Sequence, residues 1–164
     1  MTDPYSQIAQ RIRGEVVEID RVVLRGLHAW DMHRLNPAED AFLDAAALNL
    51  HSFYSGLETI FGLITRQVDR KPPAGESWHR DLLGQMASEW PEVRPGVISQ
   101  ETAERLDGYM RFRHLVRNVY ATNLAPDRFS DLIDTLSEVW SQTRSELLAF
   151  ATFLEDVARS VAGA

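Results

Sequence analysis

Apolar residues recur at helical spacing along most of the chain, and the alternation of apolar and polar residues that is typical of strands is absent. Within residues 37–70, apolar positions lie three and four apart, which indicates one buried helix face. These positions are Leu43, Ala47, Leu50, Tyr54, Leu57, Phe61 and Ile64. The whole pattern predicts helices at residues 3–33, 37–70, 78–90, 99–120 and 126–161. We therefore expect a single all-α domain over residues 1–164, a mostly antiparallel bundle of about five helices.

Residues that favour helix starts and stops support these boundaries. Pro4 lies near the start of the first helix, where proline is tolerated. Asn36 is predicted to cap the second helix, with Pro37 in its first position. Ser77 is predicted to cap the third helix. Ser99, with an acid and a threonine just after it, is predicted to open the fourth.

The composition limits the classes of function. The chain has a formal net charge of −7 and a pI near 5.2, which argues against RNA binding by bulk charge. Any RNA contact would need a local basic patch. There are no cysteines, which excludes disulfides and thiolate zinc sites. No apolar run suits a signal peptide or a membrane span, so we expect a cytoplasmic protein without membrane contact.

A basic patch does occur, in the stretch RFRHLVRNVY at residues 111–120. On a helical wheel its apolar side chains share one arc: Phe112, Leu115, Val116 and Val119. Its polar side chains fall on the remaining surface: Arg111, Arg113, His114, Arg117, Asn118 and Tyr120. Two arginines four residues apart repel each other unless an anion or a carboxylate lies between them. Two interpretations follow: Arg113 and Arg117 pair with acids on neighbouring helices, or they form an anion site.

The residue types in this patch suit one particular anion chemistry. Guanidinium groups bind phosphate through two parallel hydrogen bonds. A neighbouring imidazole can move protons near neutral pH. Together these groups suit cleavage of an RNA phosphodiester, in which a base removes the 2′-hydroxyl proton and arginine stabilises the phosphorane. This route requires no metal, and no cofactor is expected.

The stretch YMRFRHLVRNVYATNL resembles the signature helix of HepT-like proteins, a branch of the HEPN superfamily. The resemblance extends to ALNLHSFYSGLETIFGLI, GESWHRDLLGQMA and DRFSDLIDTL, and so covers roughly residues 40–140. It implies a HEPN-like helical bundle that forms a homodimer. It also implies a toxin that is a metal-independent endoribonuclease, with tRNA among its candidate targets. The implied partner is an MntA-like nucleotidyltransferase antitoxin that transfers AMP to the motif tyrosine.

The family signature is arginine, four residues, histidine, any residue, tyrosine. Arg113 takes the arginine place and Tyr120 the tyrosine place, the site of regulatory AMPylation, but Asn118 stands where the family has histidine. Asparagine cannot act as a general acid or base. His114 lies about 40° from Asn118 on the wheel and is the candidate substitute. Three outcomes remain open: catalysis through His114, weakened catalysis, or a catalytically silent HEPN dimer that binds RNA, nucleotide or a protein partner.

The resemblance makes Arg113, His114 and Asn118 the candidate catalytic residues, with Arg111 and Arg117 as phosphate ligands. Other residues are candidates only for lining the same pocket. These are His51 and Tyr54 on the second helix and Trp78 and His79 on the third. For all four, packing within the bundle is the alternative. The histidines and acids show no metal-ligand spacing, so no metal site is predicted.

Overall fold

The computed structural model describes residues 2–118 and 125–164, except the side chains of residues 117 and 118. These residues form five α-helices and a short 3-10 turn, Pro126–Arg128, and their one β-bridge is isolated. The helices are α1 (Pro4–Leu35), α2 (Asp40–Gln67), α3 (Trp78–Ala87), α4 (Gln100–Asn118) and α5 (Ser130–Ala162). The prediction of an all-α bundle of five helices is confirmed. None of the described helices is long and apolar enough to cross a membrane.

Helix α2 is central to the core. All seven apolar positions that were predicted for its buried face are buried. Helix α1 runs antiparallel to α5, since Arg13 contacts Glu155 at one end and Arg34 contacts Asp134 at the other. Helices α4 and α5 are also antiparallel. Helix α4 in turn packs on α2, which places the basic patch beside the central helix.

The helix ends show which predicted caps form. The Asp3 carboxylate accepts hydrogen bonds from the amides of Tyr5 and Ser6 and so caps α1. The Ser99 hydroxyl accepts one from the amide of Thr102, which confirms the predicted start of α4. The predicted role of Asn36 is wrong. It lies at the C-terminal end of α1, where its side chain donates to the carbonyl of Met32, because α2 begins only at Asp40.

A buried ion pair fixes the position of α3 against the end of α2. Arg94, in the irregular segment after α3, donates to both carboxylate oxygens of Asp69 at 2.5 and 2.8 Å. Gln85 of α3 donates to the same carboxylate at 2.7 Å. Arg94 also donates to the carbonyls of Ser88 and Pro95. These contacts hold the C-terminal end of α3 against the end of α2.

Candidate functional site

Helix α4 presents the basic patch with the predicted apolar face turned inward. Phe112 is buried, and Leu115 and Val116 are half-buried. Arg113 lies at the boundary of the core, with 16% of its side chain exposed, and the next residue, His114, is exposed. The helical wheel therefore placed the apolar and polar faces correctly for the described side chains.

Helix α2 supplies the polar partners of Arg113. The Arg113 Nη1 atom lies 2.8 Å from Oε1 of Glu58, and Nε donates to the hydroxyl of Ser55 at 2.8 Å. Ser55 donates in turn to the carbonyl of His51. Ser55 and Glu58 are three residues apart and so share one helix face. Of the two interpretations, pairing with an acid on a neighbouring helix is therefore confirmed for Arg113.

Helix α3 brings a histidine to the same carboxylate. Nδ1 of His79 lies 2.5 Å from Oε2 of Glu58, so the two oxygens of Glu58 serve different partners. The Trp78 ring stacks on the His79 imidazole with a centroid distance of 3.5 Å. Ser77 occupies the N-cap position of α3, as predicted. Its hydroxyl nevertheless donates to the side chain of Asp81 at 3.3 Å and makes no capping bond to the backbone.

Glu58 is the hub of this cluster, which we define as Ser55, Glu58, His79, Arg113 and His114. Only 7% of the Glu58 side chain is exposed, although it is a carboxylate on the apolar face of α2. A buried carboxylate needs a cation or hydrogen-bond donors to offset its lost hydration. Arg113 and His79 supply both. The imidazole of His114 lies next to that of His79, with ring centroids 5.3 Å apart and planes at 79°.

A groove of about 550 Å³ opens above the cluster, between the start of α3 and the middle of α4. It is lined by Glu76, Ser77, His79, Arg80, Met110, Arg111, His114 and Leu115. The lining therefore contains two guanidinium groups and two imidazoles but one carboxylate, that of Glu76. Arg111 also pairs with Asp107 one turn earlier at 2.6 Å, and its side chain stays 71% exposed. The groove is a locally basic surface on an acidic chain.

The structure brings some of the predicted site residues together and separates others. Arg111, His114 and His79 line the groove, with Trp78 stacked beside His79. Tyr54 does not line it, because its side chain is fully buried in the core below. His51 meets the cluster through its backbone carbonyl, which accepts from Ser55.

Three of the predicted site residues come at or close to the last described residue of α4 in the sequence. Tyr120 and the side chains of Arg117 and Asn118 lie outside the described part of the chain.

Burial shapes the electrostatics below the groove. It raises the pKa of the Tyr54 phenol well above its ordinary value, and the negative charges of Glu58 and Asp107 raise it further, while Arg113 opposes the shift. The Tyr54 hydroxyl has no hydrogen-bond partner among the described residues. Tyr54 therefore remains a neutral phenol at physiological pH and is unsuited to proton transfer.

Sequence reasoning did not identify Glu58 or Ser55 as residues of the site. The available signal was a carboxylate between Leu57 and Phe61, two core positions of α2. A charge in such a position is rarely buried unless it is paired. Among the described residues, no group of three or more histidines and acids is arranged to hold a metal ion.

Comparison with known proteins places the chain in a family. The sequence model of the family described as HepT-like protein matches residues 45–154, which is 110 of the 164 residues. The match extends from α2 into α5 and includes every residue of the cluster. Searches of curated proteins and of solved structures return no match. Since the family model covers more than half of the chain, including both helices that form the groove, the chain belongs to the HepT-like protein family of the HEPN superfamily.

Proposed function

We propose that this protein is the toxin of a toxin–antitoxin pair and a metal-independent endoribonuclease, with tRNA as its first candidate substrate. The observation that carries the proposal is the position of His114. It lies exposed on α4, directly after the signature arginine, in a groove that two further arginines line. Family membership supports the same activity, since HEPN proteins of this kind act on RNA.

The reaction is a transesterification within the RNA. The 2′-oxygen attacks the adjacent phosphorus and loses its proton to a base, and the bond from phosphorus to the 5′-oxygen breaks. An acid gives a proton to that leaving oxygen, so the products are a 2′,3′-cyclic phosphate and a free 5′-hydroxyl. His114 is suited to one of these proton transfers. Arg111 and Arg80 are suited to hold the phosphate, because guanidinium groups stabilise its developing charge.

Arg113 has a different role in this proposal from the one expected of a free phosphate ligand. Its contacts to Glu58 and Ser55 fix the guanidinium beside the groove. From there it offsets the negative charge of Glu58 beneath the bound phosphate and holds α4 in register with α2. We propose that Arg117 and Asn118 complete the phosphate contacts.

The same family membership supports a proposal about regulation. We propose that an MntA-like nucleotidyltransferase silences the toxin by transferring AMP to Tyr120, the tyrosine of the signature. The added phosphate would bring negative charge and bulk next to the arginines and so compete with RNA. We also propose that the protein acts as a homodimer.

The second candidate is a catalytically silent HEPN dimer that binds RNA, a nucleotide or a protein partner. Asn118 favours it, because the histidine of the family signature is missing. The pairing of Arg113 with Glu58 favours it as well, since a neutralised guanidinium attracts phosphate less strongly.

A cleavage assay separates the two candidates. Purified protein is incubated with bulk tRNA in EDTA, beside Arg113→Ala and His114→Ala, after mass spectrometry has verified that Tyr120 carries no AMP. We expect cleavage by the unaltered protein and a loss of about 10²-fold or more in His114→Ala. Intact tRNA after incubation with the unmodified protein would instead identify the silent dimer.

A further inference from the structure

Glu58 and His79 form a carboxylate–imidazole pair at the floor of the groove. Nδ1 of His79 lies 2.5 Å from Oε2 of Glu58, and 12% of the histidine side chain is exposed. The other ring nitrogen, Nε2, makes no hydrogen bond within the described part of the chain. Because Nδ1 is occupied by Glu58 and the ring lines the groove, Nε2 is the nitrogen left to contact a ligand.

We propose that His79 is a catalytic residue of this protein, the general base that removes the 2′-hydroxyl proton of RNA, and that Glu58 positions it. This inference rests on the proposed ribonuclease activity and deepens it. It assigns to α3 the second proton-transfer group that Asn118 cannot supply from α4.

The pairing with Glu58 provides the two properties that a base needs. A carboxylate that accepts from Nδ1 selects the tautomer in which Nε2 carries a lone pair. The same carboxylate stabilises the imidazolium that forms once Nε2 has taken a proton. The Trp78 ring, stacked at 3.5 Å, restricts the plane of the imidazole.

The geometry supplies the matching acid. The imidazole of His114 lies 5.3 Å from that of His79, centroid to centroid, and both line the groove. Two imidazoles at this separation can reach the 2′-oxygen and the 5′-oxygen of one phosphodiester. In the cleavage step His79 gains the 2′-hydroxyl proton and His114 loses a proton to the leaving 5′-oxygen. Proton exchange with water restores both side chains.

A purely structural ion pair explains less of the arrangement. Arg113 already supplies Glu58 with a full positive charge at 2.8 Å, so a second charged partner is not needed for neutrality. A histidine that served only to satisfy Glu58 would also gain nothing from lining a basic groove next to another histidine. Catalysis accounts for both features.

The test uses His79→Asn in the tRNA cleavage assay. The asparagine amide nitrogen takes the place of Nδ1, so the bond to Glu58 is retained while Nε2 is removed. His79→Gln, which places an amide near the Nε2 position, is the second variant. The matched control is His28→Gln, on α1, where His28 lines a separate groove with Leu24 and Arg25. We expect both His79 variants to lose about 10²- to 10⁴-fold in rate and the control to keep full activity.

A modified substrate distinguishes the base from the acid. In an oligonucleotide spanning a cleaved linkage, the bridging 5′-oxygen is replaced by sulfur, which leaves without a proton. The loss of rate in His114→Ala should largely disappear with this substrate, and the loss of rate in His79→Asn should remain.

Cleavage by both folded His79 variants at the wild-type rate would overturn the role of His79 and leave the ribonuclease proposal standing. Recovery of His79→Asn with the sulfur substrate would overturn its role as the base. No cleavage by the wild-type protein would overturn the ribonuclease proposal itself.

Discussion

At the scale of single residues, the chemistry of the site depends on one buried carboxylate. Glu58 binds Arg113 through one oxygen and His79 through the other, and so connects α2 to both α3 and α4. Loss of one partner of a buried pair is costly because the other charge stays buried. The same side chain therefore contributes to the stability of the bundle and to the orientation of the proposed base.

Tyr54, on the same face of α2, gives a prediction about stability. Its buried hydroxyl has no partner among the described residues, and an unsatisfied buried hydroxyl costs about 1–3 kcal/mol. We expect Tyr54→Phe to leave the free energy of unfolding unchanged or to raise it, as measured by urea denaturation at pH 7. The control is Tyr109→Phe, which loses a bond of 2.6 Å to the carbonyl of Leu132 and should cost about 1 kcal/mol.

The same variant should change the response to alkaline pH. Burial raises the pKa of the Tyr54 phenol in the folded state. The contribution of Tyr54 to the free energy of unfolding is therefore fully present below about pH 10, the ordinary pKa of tyrosine, and is lost as the pH rises above it. Tyr54→Phe lacks this group and should lose less stability between pH 9 and about pH 11. Tyr109, whose pKa is also raised by burial, accounts for part of the loss that remains. If the wild-type protein and Tyr54→Phe lost the same free energy of unfolding over this pH range, Tyr54 would not be a source of the alkaline loss.

The sequence predicted the part of the site that belongs to α4. The spacing of Phe112, Arg113 and His114 determines which side of α4 each occupies, because a helix has a fixed period. The contacts of Glu58 could not be predicted the same way. Glu58 and His79 are 21 residues apart and meet only because α3 docks on α2, which no local pattern records.

At the scale of elements, the short helix α3 decides whether the groove exists. It has only 10 residues, too few to be stable alone, and its position depends on tertiary contacts. The buried pair of Arg94 and Asp69 supplies several of them, together with Gln85. The irregular segment after α3 lies between two predicted helices, and its defining contact could not be predicted because it joins residues 25 positions apart.

Breaking this pair should therefore destabilise the protein and the groove together. Both side chains are fully buried, so Arg94→Ala leaves an unpaired carboxylate and should lower the free energy of unfolding by about 3–5 kcal/mol. The measurement is urea denaturation. The control is Arg21→Ala, which breaks the exposed pair with Glu18 and should cost less than about 1 kcal/mol. Equal effects of the two substitutions would show that the Arg94 pair does not hold α3 in place.

Helix boundaries show where local rules succeed and where they fail. Ser99 was predicted correctly as a cap because its hydroxyl has an amide of α4 within reach. Asn36 was assigned to the wrong helix. An asparagine between two helices can cap the start of one or end the other, and the choice depends on where α2 first meets α1. Sequence patterns therefore predicted the existence of each helix better than its ends.

At the scale of the whole molecule, an acidic chain carries a small basic groove. The net charge of −7 disfavours general binding to nucleic acid, so any RNA should be drawn to the groove between α3 and α4. The all-α fold could be predicted because helical periodicity continues along nearly the whole chain. The groove could not, since it is formed by the relative placement of two helices that are separate in sequence.

The most direct test of this account is to map RNA binding onto the five histidines by NMR. The protein is labelled at the imidazole Cε1 positions, assigned with single His→Gln variants, and titrated with a 2′-O-methyl oligonucleotide, which has no hydroxyl to attack. We predict that the signals of His79 and His114 shift together as the oligonucleotide binds, while those of His28 and His33 on α1 do not move. Binding that leaves His79 and His114 unchanged would contradict the placement of the RNA site in this groove.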